Sequence, residues 1–159
     1  MIVVECHRDQ ALIYRIGFTP GQVRHAHNKS RVLWTVEKRQ KAIGIIDEDP
    51  DAGCSKYLRE YDERSATGEI KLLIRKDDDG SRIIRRAIQI SPRLEDWLYG
   101  IAKRNKISPS GFGLPDDAAE MHDRSLKGDK DFRRFLIELV KKKDDEINAL
   151  RRWIRQAIE

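Results

Sequence analysis

Acidic side chains follow two apolar segments of the chain, and their spacing indicates metal chemistry. Glu5 comes directly after one apolar run, and Asp47 and Asp49 follow another. Asp47 and Asp49 are two residues apart, so in an extended backbone they point to the same side. Close carboxylates repel one another unless a divalent cation neutralises them, and oxygen ligands select Mg²⁺ or Mn²⁺ over zinc. Such ions can hold a phosphate and activate water, although aspartates after a strand also have a purely structural use in turns.

Two short buried strands are predicted to carry these acids. Residues 1–5 are predicted to be a buried strand because Ile2, Val3 and Val4 form an apolar, β-branched run. Residues 42–46 are continuously apolar, which is typical of a central parallel strand covered on both faces. A helix is predicted directly after the first strand. Residues 22–40 are predicted to form a second helix, with a strand over residues 32–36 as the alternative.

The rest of the chain is predicted to form a hairpin and then helices. Residues 55–65 are predicted to be a helix or a loop, and residues 69–90 a β-hairpin that turns at Asp79-Gly80. Ser91-Pro92 is predicted to begin a helix, with serine as the cap and proline at the first helical position. After a loop at residues 107–117, apolar side chains recur at helical spacing to the end.

This order of elements predicts an α/β fold with a mostly parallel sheet flanked by helices, a β-hairpin and a C-terminal helical segment. Residues 1–106 are predicted to form the core, and residues 107–159 a helical segment packed on it, as one domain overall. Ligands of such sheets bind outside the carboxyl ends of the strands. Glu5, Asp47 and Asp49 therefore meet at one rim if their strands are neighbours.

Two segments resemble the motifs of the Toprim superfamily. Residues 3–12, VVECHRDQAL, resemble its first motif, a strand that ends in glutamate with an aspartate opening the next helix, except that Cys6 stands where glycine is usual. Residues 43–51, IGIIDEDPD, resemble its second motif, an apolar strand that ends in Asp-x-Asp. The resemblance covers the first third of the chain. It implies a Toprim-like, Rossmann-like catalytic core with Mg²⁺ or Mn²⁺ as cofactor, and it implies that the catalytic and metal-binding residues include Glu5, Asp47 and Asp49.

Within that superfamily, the chain looks most similar to small stand-alone nucleases of the OLD type. Residues 94–98, LEDWL, match a further glutamate motif of those proteins, which implies Glu95 as another metal ligand. A place in the first turn of a helix gives Glu95 a purely structural alternative. The resemblance also implies Lys127 as a catalytic lysine that faces the metal or the phosphate. Secondary candidates beside the same site are Asp9, Asp51 and His7.

The resemblance implies a metal-dependent nuclease acting on DNA or RNA. The sequence has no Gly-x-x-x-x-Gly-Lys-Ser/Thr loop. Because OLD-type Toprims commonly act with an ATPase, the resemblance implies a separate ABC- or AAA-type ATPase partner and a role as the effector of an ATPase-coupled anti-phage defence system. Two alternatives stay open: an RNA-processing Toprim ribonuclease, and a non-catalytic Toprim-fold interaction subunit. Cys6 favours the second, because a side chain at that position crowds the substrate loop.

The composition favours a charge-rich globular protein of the cytoplasm. Charged residues make up 37% and hydrophobic residues 39% of the 159 residues, and the net charge of +5 favours contact with phosphates. The two cysteines have no zinc-site spacing and are predicted to be free thiols in a reducing compartment. No signal peptide is expected, and no apolar run reaches the ~18 residues of a membrane helix. No membrane association is therefore expected, and a homo-oligomer is left open.

Aromatic and basic side chains outside the motifs have two interpretations. His25 and His27 are predicted to have surface or core roles. The basic clusters of the last third are predicted to be solvated faces, with nucleic acid contact as the alternative. The tryptophans are predicted to anchor helices, with base stacking as the alternative; they are Trp34, Trp97 and Trp153.

Overall fold

A computed structural model describes residues 1–49, 56–76, 83–124 and 129–159. The strands are β1 (Ile2–Val4), β2 (Val23–His25), β3 (Ile43–Asp47), β4 (Asp62–Thr67), β5 (Ile70–Lys76) and β6 (Ile84–Ile90). The helices are α1 (His7–Arg15), α2 (Lys29–Glu37), α3 (Leu94–Arg104), α4 (Ala118–Asp123), α5 (Lys130–Lys141) and α6 (Asp145–Ile158). Short 3₁₀ turns occupy Pro20–Gln22, Lys56–Glu60 and Pro109–Phe112.

The strands form one mixed sheet in the order β2-β1-β3-β6-β5-β4. The first four strands in this order are parallel, and β5 and β4 add an antiparallel edge. The α/β class, the flanking helices and the antiparallel pairing of residues 69–90 are thereby confirmed; the predicted turn at Asp79-Gly80 lies outside the described residues. β1 pairs directly with β3, with Val4 opposite Ile45. The two acid-bearing strands are therefore neighbours, as the prediction required.

Each face of the sheet packs against its own hydrophobic cluster. The larger cluster joins the sheet to α1, α3, α5 and α6, and a smaller one joins the opposite face to α2. Gly44 in β3 is what lets α2 come close, because a Cβ at this position would lie 2.7 Å from Val32 Cγ1. Within the described ranges, no helix has the length and apolar character needed to cross a membrane.

The structure of residues 22–40 differs from the sequence prediction. It contains strand β2 and then helix α2, so the prediction of one continuous helix is wrong, and so is the strand alternative over residues 32–36. Asn28 separates the two elements: its side chain accepts a hydrogen bond from the Arg31 N–H at 2.9 Å and so caps α2. β2 is three residues long, which is too short to give a recognisable alternation.

Two further boundaries differ from the prediction. Strand β4 (Asp62–Thr67) takes in residues 62–65, which were predicted to belong to a helix or loop. Helix α3 begins at Leu94 with Arg93 as its N-cap, so Ser91-Pro92 does not begin it. The Ser91 N–H instead donates to the Glu69 carbonyl at 2.9 Å, which extends the contact between the ends of β6 and β5.

We expect Gly44→Ala to destabilise the protein by about 1–3 kcal/mol, because the added methyl group overpacks the contact with α2. Adding Val32→Ala should restore part of the loss, since it removes the atom that the new Cβ meets. Gly100→Ala is the matched control: nothing lies within 4 Å of its Cβ position in α3, and the change should stabilise the helix by about 0.5–1 kcal/mol. Urea unfolding of the wild type and these three variants measures the differences, and an unaltered midpoint for Gly44→Ala would contradict the packing argument.

Candidate functional site

The carboxyl ends of β1 and β3 bring two predicted site residues into contact. Glu5 follows β1, and its Oε1 accepts a hydrogen bond from the Asp47 backbone N–H at 2.9 Å. Asp47 is the last residue of β3. Both side chains are partly buried. The pair that the sequence placed at one rim is therefore assembled by the direct pairing of the two strands.

Asp49 lies beyond the end of β3 and differs from the prediction in its backbone. Its φ of 44° is left-handed, so the argument that Asp47 and Asp49 share one side of an extended strand does not apply. The Asp49 N–H donates to the Pro92 carbonyl at 2.8 Å, which holds the loop beside the start of α3. Asp49 still acts on the site through its charge, because it is one of the groups that raise the pKa of Glu5.

Asp9 enters the site from the first turn of α1. Its Oδ2 accepts a hydrogen bond from the Cys6 N–H at 2.8 Å, and the Asp9 N–H donates to Cys6 Sγ at 3.5 Å, so the two residues form a capping box. The Cys6 side chain is thus turned toward the helix it caps. Burial and Asp9 raise the pKa of the thiol, which keeps it protonated and unsuited to nucleophilic attack.

Burial and mutual repulsion perturb the acids of this edge together. The pKa of Asp47 rises to about 9, first through burial and then through the charges of Asp9, Glu5 and Glu95. Burial raises the pKa of Glu5 to about 7 and that of Asp9 to about 6. Without a cation, the folded protein therefore keeps protons on acids that would be ionised in water. We use the term acidic edge for these four residues, Glu5, Asp9, Asp47 and Glu95.

One oxygen of the acidic edge lacks a partner. Asp47 Oδ1 is buried and makes no hydrogen bond, and the nearby Leu94 backbone offsets the raised pKa of Asp47 only in part. Buried oxygens are normally satisfied, so an unpartnered carboxylate oxygen among other acids fits a bound hard cation. The described ranges contain no group of three His, Cys, Asp or Glu side chains already arranged to hold a metal ion. The donor chemistry thus fits Mg²⁺ or Mn²⁺, while the ligand set is not closed around a metal position.

Glu95 is held by an ion pair. The Arg8 guanidinium donates to its Oε1, and His122 Nδ1 lies 3.2 Å from its Oε2. Glu95 is 3% exposed and Arg8 is 8% exposed. Arg8 also donates to the carbonyls of Met121 and Arg124, both at 2.6 Å. Both Glu95 oxygens therefore have protein partners. The charge of Glu95 still raises the pKa of Asp47.

The remaining predicted residues are distributed around this edge. His7 is exposed at the start of α1, and its Nδ1 lies 3.1 Å from Gln10 Oε1. Asp51 and Lys127 lie outside the described residues, so their predicted roles stay predictions.

Three residues that shape the site were not predicted from the sequence: Arg8, His25 and Lys29. Burial is the main cause that lowers the pKa of His25, followed by the charges of His27 and His7, whereas the nearby Glu5 backbone raises it. Lys29 Nζ donates to the Glu48 carbonyl at 2.7 Å, and its charge lowers the pKa of Glu5. His25 and Lys29 were missed because β2 was interpreted as helix, which hid that its carboxyl end adjoins Glu5.

No family model, curated protein or solved structure matches the chain.

We expect Asp47→Asn to raise the melting temperature of the protein in EDTA, and to raise it more at pH 8 than at pH 5. The folded pKa of Asp47 lies above its unfolded value, so this group destabilises the fold increasingly as pH rises from about 4 toward 9. Asparagine removes that dependence. Scanning calorimetry should show a gain of at least ~1 kcal/mol at pH 8, or about 2–4 °C. Asp62→Asn, on the exposed strand β4, is the charge control; equal shifts in both variants would contradict the prediction.

Proposed function

We propose that the chain is a Toprim-like, Mg²⁺- or Mn²⁺-dependent nuclease that hydrolyses phosphodiester bonds of DNA or RNA. The observation that carries the proposal is the buried, unpartnered Oδ1 of Asp47, next to Glu5 at the carboxyl edge of neighbouring parallel strands. This is the place where α/β sheets bind their ligands. The excess of basic residues, a net charge of +5, agrees with a polyanionic substrate.

In this proposal, Asp47 and Glu5 hold the metal, and Asp49 contributes from the following loop. A bound Mg²⁺ or Mn²⁺ would activate water and neutralise the scissile phosphate. Asp9 fixes the turn after Glu5 through its hydrogen bond with the Cys6 N–H. Lys29 holds the Glu48 carbonyl, which places a cation beside the same edge, where it can attract a phosphate. Lys127 keeps its proposed place as a phosphate-facing lysine.

Cys6 gives little support to the non-catalytic alternative. The argument for an interaction subunit was that a side chain at this position crowds the substrate loop. Its Sγ instead accepts the Asp9 N–H and caps α1. The proposal therefore keeps a catalytic role. A separate ABC- or AAA-type ATPase partner and a role in anti-phage defence remain parts of the proposal that rest on the sequence resemblance.

Cleavage of plasmid DNA, single-stranded DNA and structured RNA tests the proposal. We expect cutting in millimolar Mg²⁺ or Mn²⁺, none in EDTA, and a loss of at least about a hundredfold in Asp47→Asn, because the metal position is removed. Asp62→Asn should cut like the wild type. Cutting of RNA alone would select the RNA-processing alternative.

Metal binding has a readout that does not depend on activity. A cation present at about 100 times its dissociation constant stabilises the fold by roughly 2.7 kcal/mol. The melting temperature of the wild type should rise accordingly in Mg²⁺ or Mn²⁺, and that of Asp47→Asn should not. A wild-type melting curve that ignores millimolar divalent ions would refute the metal site.

Glu95→Gln tests whether Glu95 serves the ion pair with Arg8 or a metal position. We propose a positioning role, because both of its oxygens are engaged by Arg8 and His122. Glu95→Gln should therefore destabilise the fold by about 3–5 kcal/mol, as breaking a buried ion pair does, and keep the stabilisation by Mn²⁺. Asp96→Asn, whose side chain pairs with the partly exposed Arg93, is the neighbouring control and should cost under ~1 kcal/mol. If Glu95→Gln melts like the wild type but no longer responds to Mn²⁺, Glu95 is a ligand.

A further inference from the structure

A second feature lies beside the acidic edge and is not used by the proposed hydrolysis. A cleft of about 550 Å³ opens between the carboxyl end of β2 and the outer face of α2. Its volume is in the range of small-ligand sites, roughly 300–1,000 Å³. The side chains that give it chemical character are Arg24, His25, His27, Arg31 and Trp34.

Trp34 is the unusual member of this cleft. It is 48% exposed, and among the described residues the other large hydrophobic side chain with comparable exposure is Tyr14, at 38%. Trp97 and Trp153 are buried, as the sequence predicted for anchors of helices. Trp34 lies on the outer face of α2, so its ring does not stabilise the core. An indole ring left in water in this way is available for stacking.

Cations flank the exposed ring. Arg31 precedes Trp34 by one helical turn, and Arg24 lies on the edge strand β2 across the cleft. Both side chains are exposed, and neither guanidinium forms an ion pair with the part of the chain that the structure describes. An aromatic face with unpaired guanidinium groups on either side matches the two halves of a nucleotide, its base and its phosphate.

Histidine rings connect the cleft to the acidic edge. The centroids of His27 and His25 are 4.1 Å apart, and those of His25 and His7 are 4.3 Å apart. The Glu5 backbone lies near the His25 ring, since it contributes to the pKa of His25. The cleft and the acidic edge are therefore joined by a short row of rings, over which a strand held in the cleft would reach Glu5 and Asp47.

We propose that this cleft binds an unpaired nucleotide of a single-stranded nucleic acid, with Trp34 stacking on the base and Arg24 and Arg31 contacting phosphates. The inference rests on the proposed function, because it supplies the substrate for the same edge. A single strand is specified because the faces of bases in a duplex are covered by their neighbours, whereas an unpaired base offers its face to an aromatic ring. DNA and RNA share this chemistry, so both are tested.

Binding in EDTA tests the cleft without cleavage. Fluorescence anisotropy is measured with labelled 12-nucleotide single strands of DNA and of RNA and with the corresponding DNA duplex. We expect Trp34→Ala to weaken binding to at least one single strand about tenfold or more, and Trp34→Phe to keep most of the affinity, as stacking requires. Arg31→Gln should lower the slope of log K against log salt by about 0.7, the value for one phosphate contact. Tyr14→Ala, the other exposed aromatic residue, should bind like the wild type.

Intrinsic fluorescence gives a second measurement that does not depend on a label. Because Trp97 and Trp153 are buried, stacking of a base on Trp34 should quench the exposed part of the emission, and Trp34→Phe should lose that quenching. The inference is overturned if the wild type binds no single strand or if Trp34→Ala binds single strands as tightly as Tyr14→Ala does. It is also overturned if Trp34→Ala weakens binding of the duplex as much as binding of the single strands. The second result would leave the cleft to a partner other than nucleic acid, and the third would assign it to duplex as well as single-stranded nucleic acid.

The two proposals fail in different ways. Binding that depends on Trp34 without any metal-dependent cutting refutes the nuclease and supports the cleft. Metal-dependent cutting that depends on Asp47, together with binding that is indifferent to Trp34, supports the nuclease and overturns the cleft.

Discussion

The burial of neighbouring carboxylates is the constraint on which the rest of the site depends. Glu5, Asp9 and Asp47 all have raised pKa values, and burial is the largest cause for each. A fold that keeps such groups together needs compensation nearby. The compensation comes from backbone N–H donors, from the capping box at the start of α1, and from the buried guanidinium of Arg8. Among the oxygens of these acids, Asp47 Oδ1 is left buried without a hydrogen-bond partner, and Arg8 Nε is left without one as well.

The strands that carry the acids were predictable, whereas the edges of the sheet were not. β1 and β3 are continuously apolar because they are covered on both faces, and this pattern is visible in the sequence. β4 has the sequence DERSAT and pairs on one side only, with β5, so it carries no apolar alternation. β2 has three residues and lies at the other edge. Short or exposed strands are specified by their partners, and a single sequence does not show partners.

The same distinction applies to the site. Glu5 and Asp47 were predicted as a pair because each ends an apolar run, and the structure places them in hydrogen-bond contact. Arg8 was missed because its partners are set by tertiary structure: Glu95 in α3 and backbone carbonyls around the end of α4. Asp49 was expected to follow the strand geometry, but a left-handed φ turns it away from that path. The acids were therefore predictable from local sequence patterns, whereas their surroundings are set by long-range contacts that the sequence does not show.

The long-range contacts of Arg8 have a consequence for how the protein folds during its synthesis. Its guanidinium binds carbonyls that lie 113 and 116 residues further along the chain. On a ribosome, β1, α1 and β3 emerge long before those carbonyls exist, and during that interval Arg8 has only Glu95, once α3 has formed, to neutralise its charge. Contacts between such distant parts of a chain form late. A nascent chain therefore exposes its acids before they are assembled into an ordered edge, which can be completed only once the chain has been synthesised as far as Arg124.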